Sequence, residues 1–470
     1  MRSIGGLHVS KACVLAALGI AASVPMTTSI RGQGQSATRA VLYEGARLIP
    51  GDGKAPIEQS AFLVESGTIT RVGAKGSIAL PSGATRGDLT GKTVMPTLVN
   101  AHGHPGFQRG LTYSAGNFTR ENIIDDLNRA LYFGVAAVLS QGIEKGDVTD
   151  RIRADQDAGT LGGARLRIAG RGIGAPNAGP GAEAYAGIAY EVTTEEQSRR
   201  AVQELASRHV DVIKIWVDDR NGRAPRLPSN LSRAIIDEGH KLGLKVNAHI
   251  FYYADAAELV EAGIDGFAHL VRDKEMDGAL VASIVQHKTY VMPNLAPEWT
   301  TYGETPHWLE SGDPLMTLLQ GSAPPEVIER MKKNFVISDP AAVARARASY
   351  GILQRSLARL SAAGANIILG CDTGLEDHLF GMAEQRELES MNKAGMSPMQ
   401  VIVAATSRPA EYLKLEKMGV LAEGREADFL VLDANPLDNI INTQRISKVY
   451  IKGSEVDRAA MTRLVTSPRR

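Results

Sequence analysis

Two histidines one residue apart, His102 and His104, close an apolar run that starts at Val94. On an extended strand an i, i+2 pair puts both imidazoles on one face. Pro105 and Gly106 then stop the strand. Imidazoles at the open end of a buried strand suit a divalent cation better than a core. Alone the pair is a weak signal, because a metal site needs further ligands. Lys214 offers one, inside the run Asp211-Val-Ile-Lys-Ile-Trp-Val217. An ammonium there is costly unless it is paired or neutralised. It either snorkels to the strand end or acts as an amine with a shifted pKa. A neutral amine can add CO2, and the resulting carbamate bridges two metals as a carboxylate would. His249 and His269 end two successive apolar runs, one helix apart. Asp372 follows Ile367–Cys371 and either caps the next helix or binds metal and handles protons. Cys371 lies within that run and lacks a dedicated base, which makes it a poor nucleophile. Arg109, Tyr113, Arg220 and His378 fall near strand ends and are candidate substrate contacts.

The elements that must position these groups alternate apolar runs with amphipathic stretches. The runs predict strands at Val94–Ala101, Val135–Ser140, Leu166–Ala169, Val210–Val217, Lys245–His249, Gly266–His269, Thr289–Pro293 and Asn366–Cys371, with helices such as Leu231–Leu242 and Ala254–Ala262 between them. Eight strand–helix units fit an α/β fold of the (β/α)8 TIM-barrel type over residues 94–413; a doubly wound open sheet is the runner-up. In such a barrel the catalytic side chains project from the C-terminal ends of the strands, where the polar residues above lie. No Gly-rich dinucleotide fingerprint or P-loop follows an early strand. Short strands separated by glycine turns lie on either side: Ala40–Tyr43, Ala61–Val64 and Thr68–Val72 before, Asp428–Leu432 and Lys448–Ile451 after. They predict a small discontinuous β-sandwich built from residues 38–93 and 414–470. The stretch Glu298–Ser349, with Trp299, Tyr302, Trp308 and several prolines, exceeds one strand–helix unit and is expected as a lid.

The set of His102, His104, Lys214, His249, His269 and Asp372 resembles that of the amidohydrolase superfamily, in its binuclear imidazolonepropionase- and prolidase-like branch. The segment Met95-Pro-Thr-Leu-Val-Asn-Ala-His102-Gly-His104 is similar to the family's first-strand motif, although Thr97 and Asn100 stand where Gly and Asp are usual. The tail Gly424-Arg-Glu-Ala-Asp428 and the segment Thr406-Ser-Arg-Pro-Ala410 also resemble family signatures. Phe251 occupies a position where many relatives carry another His. The resemblance implies that His102, His104 and Asp372 hold one ion, that His249 and His269 hold a second, and that carboxylated Lys214 and a hydroxide bridge them. Zinc fits this donor set, with manganese or cobalt as alternatives. The two ions would generate hydroxide near neutral pH. Asp372 would take its proton and pass it to a leaving nitrogen. The implied function is hydrolysis of an amide-type C–N bond, in a dipeptide or N-acyl amino acid. Alternatives keep the site and change the bond to a lactone, a phosphotriester or a ring C–N bond, or keep the barrel as a non-catalytic scaffold.

Totals narrow the remaining choices. Lys+Arg and Asp+Glu are both 52, so no net field favours nucleic acid. Arg2 and Lys11 precede an apolar run, Ala12–Val24, too short for the about 20 residues that span a bilayer. Small residues follow at Ala21-Ala-Ser23 and Thr27-Thr-Ser29, and residues 1–29 read as a signal peptide. The mature chain would be secreted or periplasmic, without a membrane segment, and act on a small molecule; a homo-oligomer stays open. With Cys13 in that signal, Cys371 has no internal disulfide partner.

Overall fold

Strand Ser60–Glu65, SAFLVE, is buried along almost its whole length, and so is Val135–Ser140, VAAVLS. The first pairs antiparallel on both sides within a small mixed sheet, and the second belongs to a parallel one, where both faces are covered and apolar residues run on without alternation. A computed structural model describes residues 40–296, 308, 312–334 and 339–466, apart from 182, 221 and 376. The signal expected over residues 1–29 lies outside the described residues. The fold is mixed α/β.

Parallel strands make the larger part. One sheet has the order Arg165–Ile168, Val135–Ser140, Leu98–Gly103, and all its pairings are parallel. A second runs Tyr190–Glu191, Ile173–Gly174, Val212–Trp216, Lys245–His249, Gly266–Ala268, Tyr290–Met292, Asn366–Ile367, also parallel throughout. Backbone hydrogen bonds join the two sheets at both ends. Ala101 N donates to Leu369 O at 2.8 Å, and Asp211 N donates to Ile168 O at 2.8 Å. From Val212 to Ile367 strand order follows chain order, without the reversal that makes a switch point in doubly wound sheets. Helices cover the outer face through apolar stripes. The helix Arg120–Tyr132 buries Ile123, Leu127, Ala130 and Leu131, and its first turn is capped by Thr119, whose side chain accepts from Asn122 N at 3.3 Å. The expected helices appear as Ser229–Lys241 and Tyr253–Glu261.

The run expected as one strand over Val94–Ala101 is two strands. Thr93–Pro96 pairs antiparallel with Phe429–Leu432 and parallel with Arg47–Leu48, whereas Leu98–Gly103 enters the parallel sheet. Thr97, between them, donates its N–H to Asp428 O at 3.2 Å. Both ends of the chain therefore share one small sheet, completed by Ile446–Ile451 and Ser454–Glu455. The other N-terminal strands form a separate sheet in the order Thr68–Ala74, Ser60–Glu65, Val41–Glu44, Thr85–Asp88. An aromatic cluster ties the two sheets: Tyr43 meets Phe429 and Tyr450 edge to face at 5.5 and 5.7 Å, and Phe62 meets Phe429 edge to face at 5.3 Å. Each such pair contributes roughly 0.5–1.5 kcal/mol beyond its buried area.

The stretch expected as a lid lies partly outside the described residues. Inside them it is helical, at Pro314–Gln320, Pro325–Asn334 and the start of Pro340–Ala362, and Trp308 is buried with the Arg386 guanidinium 5.5 Å from its ring centroid. Among the described residues no helix is long and apolar enough to cross a membrane.

Candidate metal centre

His102 lies on the strand Leu98–Gly103 and His104 just beyond it, where His104 N donates to Thr373 O at 2.6 Å. The two rings meet edge to face at 5.0 Å. Asp372 follows the last parallel strand with a φ of +52°, and His269 follows Gly266–Ala268 with a φ of +82°. Left-handed backbone costs about 1–3 kcal/mol at a non-glycine residue, and such strain concentrates where side chains must be aimed. Here it aims both into one cluster. Asp372 Oδ1 lies 2.8 Å from His104 Nε2 and 3.4 Å from His102 Nε2; Oδ2 lies 3.7 Å from His269 Nε2. Donor atoms of His102, His269 and Asp372 all fall within 4.8 Å of one another. A Cβ at Gly374, φ +95°, would collide with His104 O, so only glycine lets the chain pass this close.

His249 packs its ring 4.5 Å from that of His269, while its Nε2 lies 3.3 Å from Asp218 Oδ1 and 3.3 Å from an Arg272 nitrogen. Lys214 is buried at the centre of Val212–Trp216 and donates from Nζ to Gln141 Oε1 at 3.1 Å. Gln141 in turn donates to Ala101 O at 2.5 Å, on the strand that carries His102. The structure thus brings His102, His104, His269 and Asp372 into direct reach, with His249 against His269 and Lys214 tied through Gln141.

Burial sets the charge states. It lowers His102 well below the usual imidazole range, helped by Lys214. His249 and His269 fall likewise, burial leading, with Arg272 next for His249 and His249 next for His269. Burial pushes the Asp372 carboxyl up, but His102, His104 and His269 outweigh it and hold it well below the carboxylate range. Burial brings the Lys214 amine down to about 7, against the pull of Asp372 and Glu144. Neutral imidazoles, an ionised carboxylate and an amine poised near neutrality are a donor set that fits divalent cations. Burial also raises the Cys371 thiol well above its ordinary value, which leaves it inert as a nucleophile.

The other sequence candidates divide. Arg109 is exposed. Tyr113 hydrogen-bonds the Tyr185 hydroxyl, and the Tyr185 ring stands 5.9 Å from that of His104. Arg220 turns to Asn177 O at 2.8 Å. His378 is buried, with burial and Arg386 taking its imidazole down to about 3. Phe251 lies under Arg272, whose guanidinium carbon is 4.9 Å from the ring centroid. Sequence reasoning passed over Gln141, Asp218 and Asn294. Each stands within two residues of the end of a parallel strand, and that position is the signal that could have found them.

A model of the amidohydrolase family matches residues 93–456, most of the chain. The chain belongs to the amidohydrolase family. An uncharacterised protein of Mycobacterium tuberculosis is 29% identical to this amidohydrolase over 209 residues, 44% of this chain and 51% of its own. The chain thus spans about half the length of the curated relatives it matches. Among solved structures, a molinate hydrolase superposes with a TM-score of 0.71 at 21% identity, over 92% of this chain and 98% of its own. A Xaa-Pro dipeptidase with methionine bound in its active site gives 0.69 at 21% identity, over 89% and 99%. At these identities the likeness is one of fold.

Proposed function

We propose that this amidohydrolase is a metal-dependent hydrolase that cleaves an amide-type C–N bond in a small molecule, with dipeptides and N-acyl amino acids as its substrate class. The observation that carries the reading is the approach of His102, His269 and Asp372, whose donor atoms lie within 4.8 Å. A Xaa-Pro dipeptidase and a molinate hydrolase among the structural neighbours support hydrolysis. In this reading His102, His104 and Asp372 hold one divalent ion and His249 and His269 a second. Lys214, as a carbamate with CO2, would supply a carboxylate to both ions. Zinc suits imidazole and carboxylate donors best, with manganese and cobalt next. When bound, the ions supply Lewis acidity and bring the pKa of water toward neutrality. Asp372 accepts the proton of the attacking water on a carboxylate oxygen and returns it to the leaving nitrogen.

The framework follows from the same proposal. Residues 94–413 close as a (β/α)8 barrel that presents these groups at the C-terminal ends of its strands. Residues 38–93 and 414–470 form the β-sandwich, and residues 1–29 direct the chain to a secreted or periplasmic location. Elemental analysis of purified protein should find close to two divalent ions per chain. A chelator should abolish hydrolysis of a dipeptide and N-acyl amino acid panel, and zinc should restore it. His102→Ala/His104→Ala should lose activity by at least about a thousandfold. Full activity in that double variant would sink the proposal.

A further inference from the structure

Asn294 stands two residues beyond the strand Tyr290–Met292, with its side chain buried between two rings of the centre. Its Nδ2 lies 2.8 Å from His102 Nδ1 and 3.1 Å from His269 Nδ1, while its Oδ1 is buried without a hydrogen-bond partner. Each ring thus turns Nε2 toward Asp372 and Nδ1 toward the same amide. The backbone that aims this amide is held firmly. Asn294 has a φ of +51°, and its N–H donates to Gly370 O at 3.1 Å. The next two N–H groups, of Leu295 and Ala296, donate to the two oxygens of the Glu387 carboxylate at 2.9 and 2.6 Å, and Arg386 donates to Ala296 O at 3.0 Å.

An imidazole can bind a cation through Nε2 only if its proton is on Nδ1. An amide nitrogen can donate only to an Nδ1 that has no proton. Both rings meet one amide, so its orientation sets both tautomers together. With protons on Nε2, pointing at Asp372, Nδ2 donates to the two bare Nδ1 atoms. A half-turn of the amide exchanges oxygen and nitrogen at nearly the same positions. Oδ1 then accepts from both Nδ1–H groups with its two lone pairs, and both Nε2 atoms are bare.

We propose that Asn294 is a shared positioning residue, whose amide oxygen fixes one ligand of each metal ion, His102 and His269, in the tautomer that binds metal. This rests on the two-ion assignment above. Removing the partner of a metal-bound histidine lowers metal affinity by about 10–100-fold. Because one oxygen serves a ligand of each ion, both sites should weaken together.

Two near-isosteric variants separate acceptance from packing. Asn294→Leu keeps the bulk and has no acceptor. Asn294→Asp keeps the acceptor and cannot donate. Zinc affinity is measured by competition with a fluorescent chelator on the full-length protein, and thermal unfolding of the metal-stripped proteins checks that both variants fold. Asn294→Leu should bind zinc about 10–100-fold more weakly at both sites, and Asn294→Asp should stay within about threefold of wild type or bind more tightly. Two wild-type-like ions in Asn294→Leu, or equal losses in the Leu and Asp variants, overturn the inference and leave the two-ion site standing. A wild-type protein that takes up no divalent ion overturns both.

Discussion

Lys214 sits where an ammonium is hard to keep. Its side chain is buried, and its Nζ donates to the Gln141 amide oxygen rather than to a carboxylate. Burial lowers the amine to about 7, with Asp372 and Glu144 acting the other way. CO2 adds only to the neutral amine. At a pKa near 7 about one amine in ten is neutral at pH 6 and about nine in ten at pH 8. Metal uptake by stripped protein at fixed dissolved CO2 should therefore rise several-fold from pH 6 to 8 and then level off. An ordinary lysine would keep climbing, about tenfold per pH unit, through pH 9. That second profile, read by zinc uptake in stopped flow, would show that burial does not set the chemistry of this residue. Lys214→Ala should lose the dependence on CO2 altogether.

Between elements, Asn100 joins the first parallel strand to the helix Met382–Lys393. Its Oδ1 accepts from His102 N at 2.9 Å, and its Nδ2 donates to Glu384 Oε1 at 2.6 Å. Burial takes the Glu384 carboxyl up to about 7. Asp, the residue usual here in the family, would set a second carboxyl against it, and the pair would have to share a proton. The folded-state pKa of that pair lies above its unfolded value. Its stabilisation is thus present at low pH and is lost as pH rises through the raised pKa of the pair. Asn100→Asp should unfold near the wild-type temperature at pH 5 and be less stable by about 2 kcal/mol at pH 8. Equal melting temperatures at pH 8 would remove Glu384 as the cause. This contact also shows what the sequence could carry. The histidines, Lys214 and Asp372 were legible because charged or ligating groups at the ends of apolar runs demand a partner. Gln141 and Asn294 were not, because an amide just past a strand end reads equally well as a turn residue. The break at Thr97 was hidden too: Val94–Ala101 is one apolar run, and only pairing with Phe429–Leu432, over 330 residues away in the chain, divides it.

For the molecule as a whole, the seam between the parallel sheets and the two-ended small sheet passes through Asp428. Its side chain is 1% exposed. One oxygen accepts from Lys452 N at 2.6 Å and the other from Arg165 at 3.0 Å, so one carboxylate joins the C-terminal hairpin to a strand of the parallel sheet. Its backbone carbonyl takes the N–H of Thr97 at the point where the first strand changes sheets. Burial pushes this carboxyl up to about 6, and Arg165 pulls it back. Asp428→Ala leaves Lys452 N without its acceptor and leaves Arg165 with Glu426 alone. A buried donor that loses its partner costs about 1–3 kcal/mol, and the lost charged contact adds to that. The variant should therefore lose about 2–4 kcal/mol in denaturant unfolding. None of the six ligand candidates lies in the small sheet, so the folded fraction should bind as much zinc as wild type. A normal unfolding midpoint would show that the seam is held by the apolar packing of Met95, Leu430, Leu432, Ile446 and Val449 against the parallel strands and their helices instead. Normal stability with lost zinc would mean that the small sheet shapes the centre directly, because the strand that leaves it at Thr97 is the one that delivers His102.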